Sequence, residues 1–163
     1  MRKIIRIILI ILLIALIAIQ FVRPQKNASQ EIAANQVEAR INVPENIHKM
    51  LKVSCYDCHS NTTYYPWYWQ AQPVAWFLNN HINDGKRHLN FSEFANYPIS
   101  KQYKKLDQIS KEVKSGDMPL TSYTLIHRDA VLDENQKLAI ENWTTDSRKL
   151  MEAKYPPDSL PKK

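Results

Sequence analysis

The chain holds only two cysteines, three residues apart, with a histidine directly after the second: Cys55-Tyr56-Asp57-Cys58-His59. Whatever fold forms must use that pentapeptide. On one helical turn, positions i, i+3 and i+4 share a face, so Cys55, Cys58 and His59 point at a common ligand. Cys-x-x-Cys-His is the attachment signature of c-type haem, in which each sulfur forms a thioether with a vinyl group and the histidine binds iron from the proximal side. Two plainer readings compete. A redox-active Cys-x-x-Cys pair expects a thioredoxin-like βαβ setting, which this chain does not offer. A structural zinc site needs four protein ligands, and no second cysteine pair exists. The expected cofactor is one covalently attached haem c.

The N-terminus bears on compartment. Arg2, Lys3 and Arg6 precede an unbroken apolar run from Ile7 to Ile19, and the stretch Ile4 to Val22 counts 19 residues, close to the ~20 of a membrane-crossing helix. Arg6 can snorkel to the headgroups. The cations ahead of the run keep the N-terminus cytoplasmic. Residues 1–23 are therefore expected to be a single-pass anchor in the inner membrane, with the rest on the periplasmic, extracytoplasmic side. A cleaved signal peptide competes, since the run also suits an h-region, but nothing from Ala15 to Ser29 offers a good Ala-x-Ala pair. Export suits haem attachment, because an extracytoplasmic thiol otherwise faces oxidation.

Composition removes other classes. With two glycines in 163 residues, neither a phosphate-binding loop nor a dinucleotide fingerprint can be assembled. The net charge of +6 hints at nucleic acid, yet Arg2, Lys3, Arg6 and Arg23 supply four charges, leaving +2 for the remainder. No nucleic-acid partner is expected, and so small a balance gives little steering toward a particular redox partner.

Residues 24–43 read as a polar spacer, 44–152 as the haem-binding domain and 153–163 as a proline-rich, extended tail. Helix signals dominate the domain. Pro44 fits a first helical position, followed by Ile47, Met50, Leu51 and Ser54 on one face. Pro73 opens a second helix with Val74, Phe77, Leu78, His81 and Ile82 on one side and Gly85 as its stop. Ser100 caps a third, carrying Tyr103, Leu106, Ile109 and Val113 and ending at Gly116. Asp133 and Gln136 form a capping box for a fourth, with Ile140, Trp143 and Leu150 on a common stripe. No alternating run suggests a sheet, so the fold class is all-α: a small helical, cytochrome c-like haem domain behind an N-terminal transmembrane helix.

For the far side of the iron, Met118 is the leading candidate. It follows Gly116-Asp117 and precedes Pro119, which disfavours a helical Met118, and a thioether opposite histidine raises the potential. His81, on the apolar face of Phe77 and Leu78, and His127 are alternatives. His88, in Lys86-Arg87-His88, suits propionates or solvent, and His48 suits solvent. An open sixth position remains a further alternative. The aromatic stretch Tyr64 to Trp69, with Trp76, suits a wall around the ring. Tyr65, Trp67, Trp76, Arg87, Tyr123 and His127 are the expected pocket contributors.

The chain resembles the haem-binding domain family of membrane-anchored bacterial proteins with a single Cys-x-x-Cys-His. The likeness rests on Cys55 to Asn61, Tyr65-Pro66-Trp67-Tyr68, Pro73 with Trp76, Gly85-Lys86-Arg87 and Leu89 to Phe94. It continues through Gly116 to Tyr123 and Ile126-His127, spanning roughly 44–145. The resemblance implies covalent haem held by Cys55, Cys58 and His59, with Met118 as distal ligand, and a cytochrome c-like role at the membrane. One-electron transfer is the expected function, with no catalytic residue. A haem-based sensor with a displaceable sixth ligand is the alternative. A peroxidase ranks last, since no distal His–Arg pair is legible.

Overall fold

A computed structural model describes residues 1–161, and every regular element in that range is helical. The only extended pairing among the described residues is one antiparallel bridge between Ala28 and Thr62. The helices are α1 (Arg2–Ile19), α2 (Glu45–Ser54), the single turn α3 (Tyr56–His59), α4 (Val74–His88), α5 (Ile99–Ser115), the single turn α6 (Thr121–Thr124) and α7 (Glu134–Lys154). Short 3₁₀ turns fill several connections, the longest at Phe91–Asn96.

The core forms where α5 and α7 pack together and α2 closes over them. From α5 come Tyr103, Leu106, Ile109 and Val113, at the helical spacing expected of a buried face. Ile140, Trp143 and Met151 face them from α7, and Ile47 and Leu51 come from α2. Full burial is worth about 1.5–3 kcal/mol for each such aliphatic or aromatic side chain. The end signals behave as local chemistry dictates. Gly116 takes the left-handed cap with φ 81° that stops α5. Asp133 and Gln136 complete their reciprocal capping box at the start of α7.

Several sequence expectations need correction. Leu150 is 68% exposed, and Met151 takes the core position instead. Ten residues beyond Ile140 at about 100° each leaves Leu150 well off the buried stripe, while eleven brings Met151 nearly back onto it. Gly85 does not stop a helix, because α4 runs through it to His88. On α4, Ala75 and Ile82 are the buried residues, and Val74 and Phe77 face out. Ser100 lies inside the first turn of α5, which starts one residue earlier behind Pro98.

Both flanks of the domain join it. In the stretch 24–43, Val37 and Ile41 are buried in the core, and Asn27 and Ser29 pair with the Asn61–Thr63 backbone. In the tail, Tyr155 and Leu160 pack on the core around a 3₁₀ turn at Pro157–Ser159. Its last two residues, Lys162 and Lys163, lie outside the described residues.

Helix α1 is 18 residues long, carries Arg2, Lys3 and Arg6, and buries none of its side chains. Among the described residues, no helix is long and apolar enough to cross a membrane. The helix expected over Ile4 to Val22 ends at Ile19 because Gln20 begins a turn. There its side-chain carbonyl accepts the Gln72 N–H (2.9 Å) and its amide donates to the Gln72 carbonyl (3.3 Å).

Candidate functional site

The Cys-x-x-Cys-His segment spans the break between α2 and α3. Cys55 leaves the helical line at φ −130°, and its carbonyl accepts the N–H groups of Cys58 (3.2 Å) and His59 (2.9 Å). That single turn presents Cys55, Cys58 and His59 to one side, where they line a cavity of about 370 Å³. The volume falls within the range of about 300–1,000 Å³ usual for cofactor sites. Apolar walls come from Leu89, Phe91, Ile109, Val113 and Leu120. Met118 enters from the non-helical loop after α5, and the Met118–Pro119 peptide is cis.

The two histidine nitrogens have distinct roles. Nδ1 of His59 lies 2.9 Å from the Leu89 carbonyl oxygen, which can only accept, so Nδ1 carries the hydrogen. Nε2 is then left with a free lone pair, the arrangement that orients metal-binding histidines. Burial holds the His59 pKa below its ordinary value, against the opposing pull of the Leu89 hydrogen bond, and so favours the neutral ring. Both cysteines are free thiols. Burial, aided by the neighbouring Cys58, pushes Cys55 up to about 12, and burial with Asp57 nearby pushes Cys58 up to about 11. They stay protonated at neutral pH, unlike the low-pKa thiolates of Cys-x-x-Cys oxidoreductases.

Two residues whose role sequence reasoning did not identify build this geometry. Gly85 lets α4 lie directly on Cys58: a Cβ there would come within 2.5 Å of the Cys58 carbonyl oxygen. Asp57, a free position in the motif, takes the Tyr64 N–H on Oδ1 (2.9 Å) and the Tyr123 hydroxyl on Oδ2 (2.8 Å). It thereby ties the motif to the loop after it and to α6, the turn that follows Met118. No signal in the spacing of Asp57 could have revealed this. Gly85 was visible as one of two glycines, but a turn was the simpler use for it.

Of the expected pocket contributors, Tyr123 lines the cavity, as do His81 and His88 from α4. The other five are absent from its lining. His127 stands behind Tyr123, its ring stacked at 4.2 Å and 15°, with Nε2 2.6 Å from the Tyr68 hydroxyl. The Tyr65 hydroxyl accepts the Asn27 N–H (2.6 Å), and its ring packs on Trp69 at 4.3 Å. Trp76 is half-buried near the start of α4, where its N–H reaches Gln72 Oε1 at 3.3 Å. Arg87 pairs with Asp84 on its own helix, and Trp67 is largely in solvent. His48 faces Glu38 at 3.6 Å and does not line the motif cavity.

The donor set fits haem. A neutral imidazole nitrogen and a thioether sulfur open onto one apolar chamber with the two thiols, and Lys105, Asp84, Gln108 and Glu112 add polar groups to the lining. A zinc site does not emerge, since among the described residues no three His, Cys, Asp or Glu side chains are grouped to hold a metal ion. No curated protein and no solved structure matches the chain. The haem-binding domain family matches residues 14–146, which include every residue lining the cavity. With most of its length inside that match, the chain belongs to the haem-binding domain family and is a haem-binding protein.

Proposed function

We propose that the chain is a c-type cytochrome, holding one haem covalently and passing single electrons outside the cytoplasm. One observation carries this reading: Cys55, Cys58 and His59 share a face of one turn and open, with Met118, onto the same apolar cavity. Haem, when bound, supplies a one-electron couple at its iron. Cys55 and Cys58 would hold it by thioethers, and His59 and Met118 would offer a nitrogen and a sulfur to its iron. The Leu89 carbonyl keeps the His59 ring in the tautomer whose Nε2 can donate to a metal. Phe91, Ile109, Val113 and Leu120 line the cavity with apolar surface that would keep water from the bound group and so tune its potential. The protein is a carrier here, with no catalytic residue.

The same reading makes α1 a membrane anchor, with Arg2, Lys3 and Arg6 at the cytoplasmic headgroups and the domain on the far side. Its 18 residues rise about 27 Å at 1.5 Å each, against about 30 Å of hydrocarbon. Snorkelling cations make up such a difference.

A second reading, a haem sensor with an exchangeable sixth ligand, draws on His81. Its Nδ1 lies 2.8 Å from the Phe77 carbonyl oxygen, which leaves Nε2 free on a residue that also lines the cavity. Carbon monoxide separates the two: a firm His59/Met118 pair resists it, and an exchangeable position binds it.

The first test is the mass of the denatured protein made in a host with c-type maturation machinery. Retention of one haem, abolished by the double change Cys55→Ala/Cys58→Ala, is the expected result. The bare polypeptide mass, or one two hydrogens lighter, refutes covalent attachment.

A further inference from the structure

The junction between α1 and the domain is built, not loose. Gln20 and Gln72 exchange two hydrogen bonds, the Gln72 side-chain amide donates to the Val22 carbonyl (2.7 Å), and Arg23 donates to the Trp69 carbonyl (3.2 Å). Only residues 21–26 then separate Gln20 from Asn27, whose backbone N–H is held by the Tyr65 hydroxyl and whose side-chain amide reaches the Ser60 carbonyl. A segment tied at both ends over so few residues leaves no slack for a tether. The domain is seated on the end of α1.

The side chains at that level have one character. Phe21 is 83% exposed, Trp67 83% and Tyr64 78%. Trp67 is two residues, at most about 7 Å of chain, from Trp69, whose carbonyl takes the side chain of Arg23, four residues beyond the end of α1. Tyr64 adjoins Tyr65, which packs on Trp69 at 4.3 Å. Arg23 and Lys26 add positive charge in the same zone, with Lys26 Nζ 5.4 Å from the Tyr65 ring. Exposed tryptophan and tyrosine beside cations, at the end of a bare aliphatic helix, have the composition of a protein surface at the lipid headgroups. After Met1, these three are the most exposed large apolar side chains among the described residues.

We infer that the loop Tyr64–Trp67, with Phe21, rests on the headgroup region of the bilayer that holds α1, so that the haem domain is clamped to the membrane face in one orientation. This rests on the anchor reading above. It replaces a domain set off the membrane by a polar spacer with one whose height and tilt are set by the Gln20–Gln72 junction.

The test is photolabelling of the full-length, haem-loaded protein in phospholipid vesicles containing a lipid with a diazirine near its glycerol backbone. Peptides are then mapped by mass. Adducts on Tyr64–Trp67 as well as on Phe21–Arg23 are expected. The double change Gln20→Ala/Gln72→Ala, which removes three of the four junction bonds and keeps the cavity residues, should deplete the Tyr64–Trp67 adducts while those on α1 persist. Adducts confined to α1 and its end in the unaltered protein would overturn the clamp and leave the anchor standing. Absence of label anywhere, with the protein remaining free of vesicles, would overturn the anchor and the clamp together.

Discussion

Replacing Gly85 by Ala sets two physical terms against each other, and the structure says which wins. Gly85 is interior to α4 and has no positive φ, so helix propensity alone predicts that Ala stabilises by about 1 kcal/mol. Packing predicts the reverse. The new Cβ would stand 2.5 Å from the Cys58 carbonyl oxygen and 3.1 Å from its carbonyl carbon and Cβ, against 3.4–4 Å for ordinary contact. The struck group is backbone within the Cys-x-x-Cys-His segment, so it cannot swing aside as a flexible side chain would. Overpacking of a closed core costs about 1–3 kcal/mol, and a backbone target puts this case in the upper part of that range. The net expectation is a loss of about 1–2 kcal/mol, or about 2–8 °C in Tm at about 2–4 °C per kcal/mol for a chain of this size. Because α3 must move off α4, the His59–Leu89 hydrogen bond should lengthen as well, and, with His59 as the proposed iron ligand, the visible haem spectrum should shift. The assay is thermal unfolding of the haem-loaded protein, followed by both circular dichroism and the haem band. A Gly85→Ala variant as stable as the parent, or more so, would refute the close-approach argument and leave propensity in charge.

Three further outcomes follow from other contacts. On the proposed His59/Met118 coordination, Met118→Ala should lower the reduction potential and let the reduced protein bind carbon monoxide, because it removes the thioether that would favour the reduced iron; unchanged potential and continued resistance to carbon monoxide would point to His81 as the ligand. Tyr123→Phe deletes the hydroxyl that donates to Asp57 at 2.8 Å and should cost about 1–2 kcal/mol, read as a lower urea midpoint with unchanged slope; an unmoved midpoint means the motif does not depend on that tie. Arg148 joins α7 to α5 through Asp107 (2.7 Å), the Tyr103 hydroxyl (3.1 Å) and the Tyr103 ring (4.5 Å from its guanidinium carbon). Arg148→Lys keeps the charge but not the fork and should still lose about 1 kcal/mol in the same titration; full retention of stability would make this pair an idle surface contact.

Where the sequence was legible, the reason was local. The buried face of α5 repeats at helical spacing and ends in a glycine that only a left-handed cap requires, so Tyr103, Leu106, Ile109, Val113 and Gly116 could be read without knowing what they touch. The Asp133–Gln136 box is reciprocal within four residues and was equally readable. Periodicity failed when the stripe was extrapolated from too few points, which is how Leu150 displaced Met151. It failed again on α4, where Val74 and Phe77 face outward near the α1 junction while Ala75 and Ile82 face the domain. Residues 24–43 looked like a spacer because their composition is polar. Their order comes from backbone pairing with Asn61–Thr63 and from just two buried side chains, Val37 and Ile41.

The site divides along the same line. Cys55, Cys58 and His59 declare themselves because one turn of helix fixes their mutual geometry whatever surrounds it. Met118 was suggested by the proline after it, a constraint on its own backbone. Asp57 and Gly85 act only through partners far along the chain: Asp57 holds Tyr123, 66 residues away, and Gly85 meets Cys58 across the contact of α3 with α4. Both contacts bear on the distance between the two sides of the cavity. Gly85 sets how closely α4, followed directly by Leu89 and its carbonyl, approaches the turn that carries His59. Asp57 sets how closely α6, next to the Met118 loop, is drawn in from the other side. In the proposed c-type reading, the attachment chemistry lies in a pentapeptide, whereas the spacing that would decide whether Met118 reaches the iron opposite His59 belongs to the tertiary fold. A chain that kept Cys-x-x-Cys-His but lost Gly85 or Asp57 would still be expected to attach haem, with its sixth position altered.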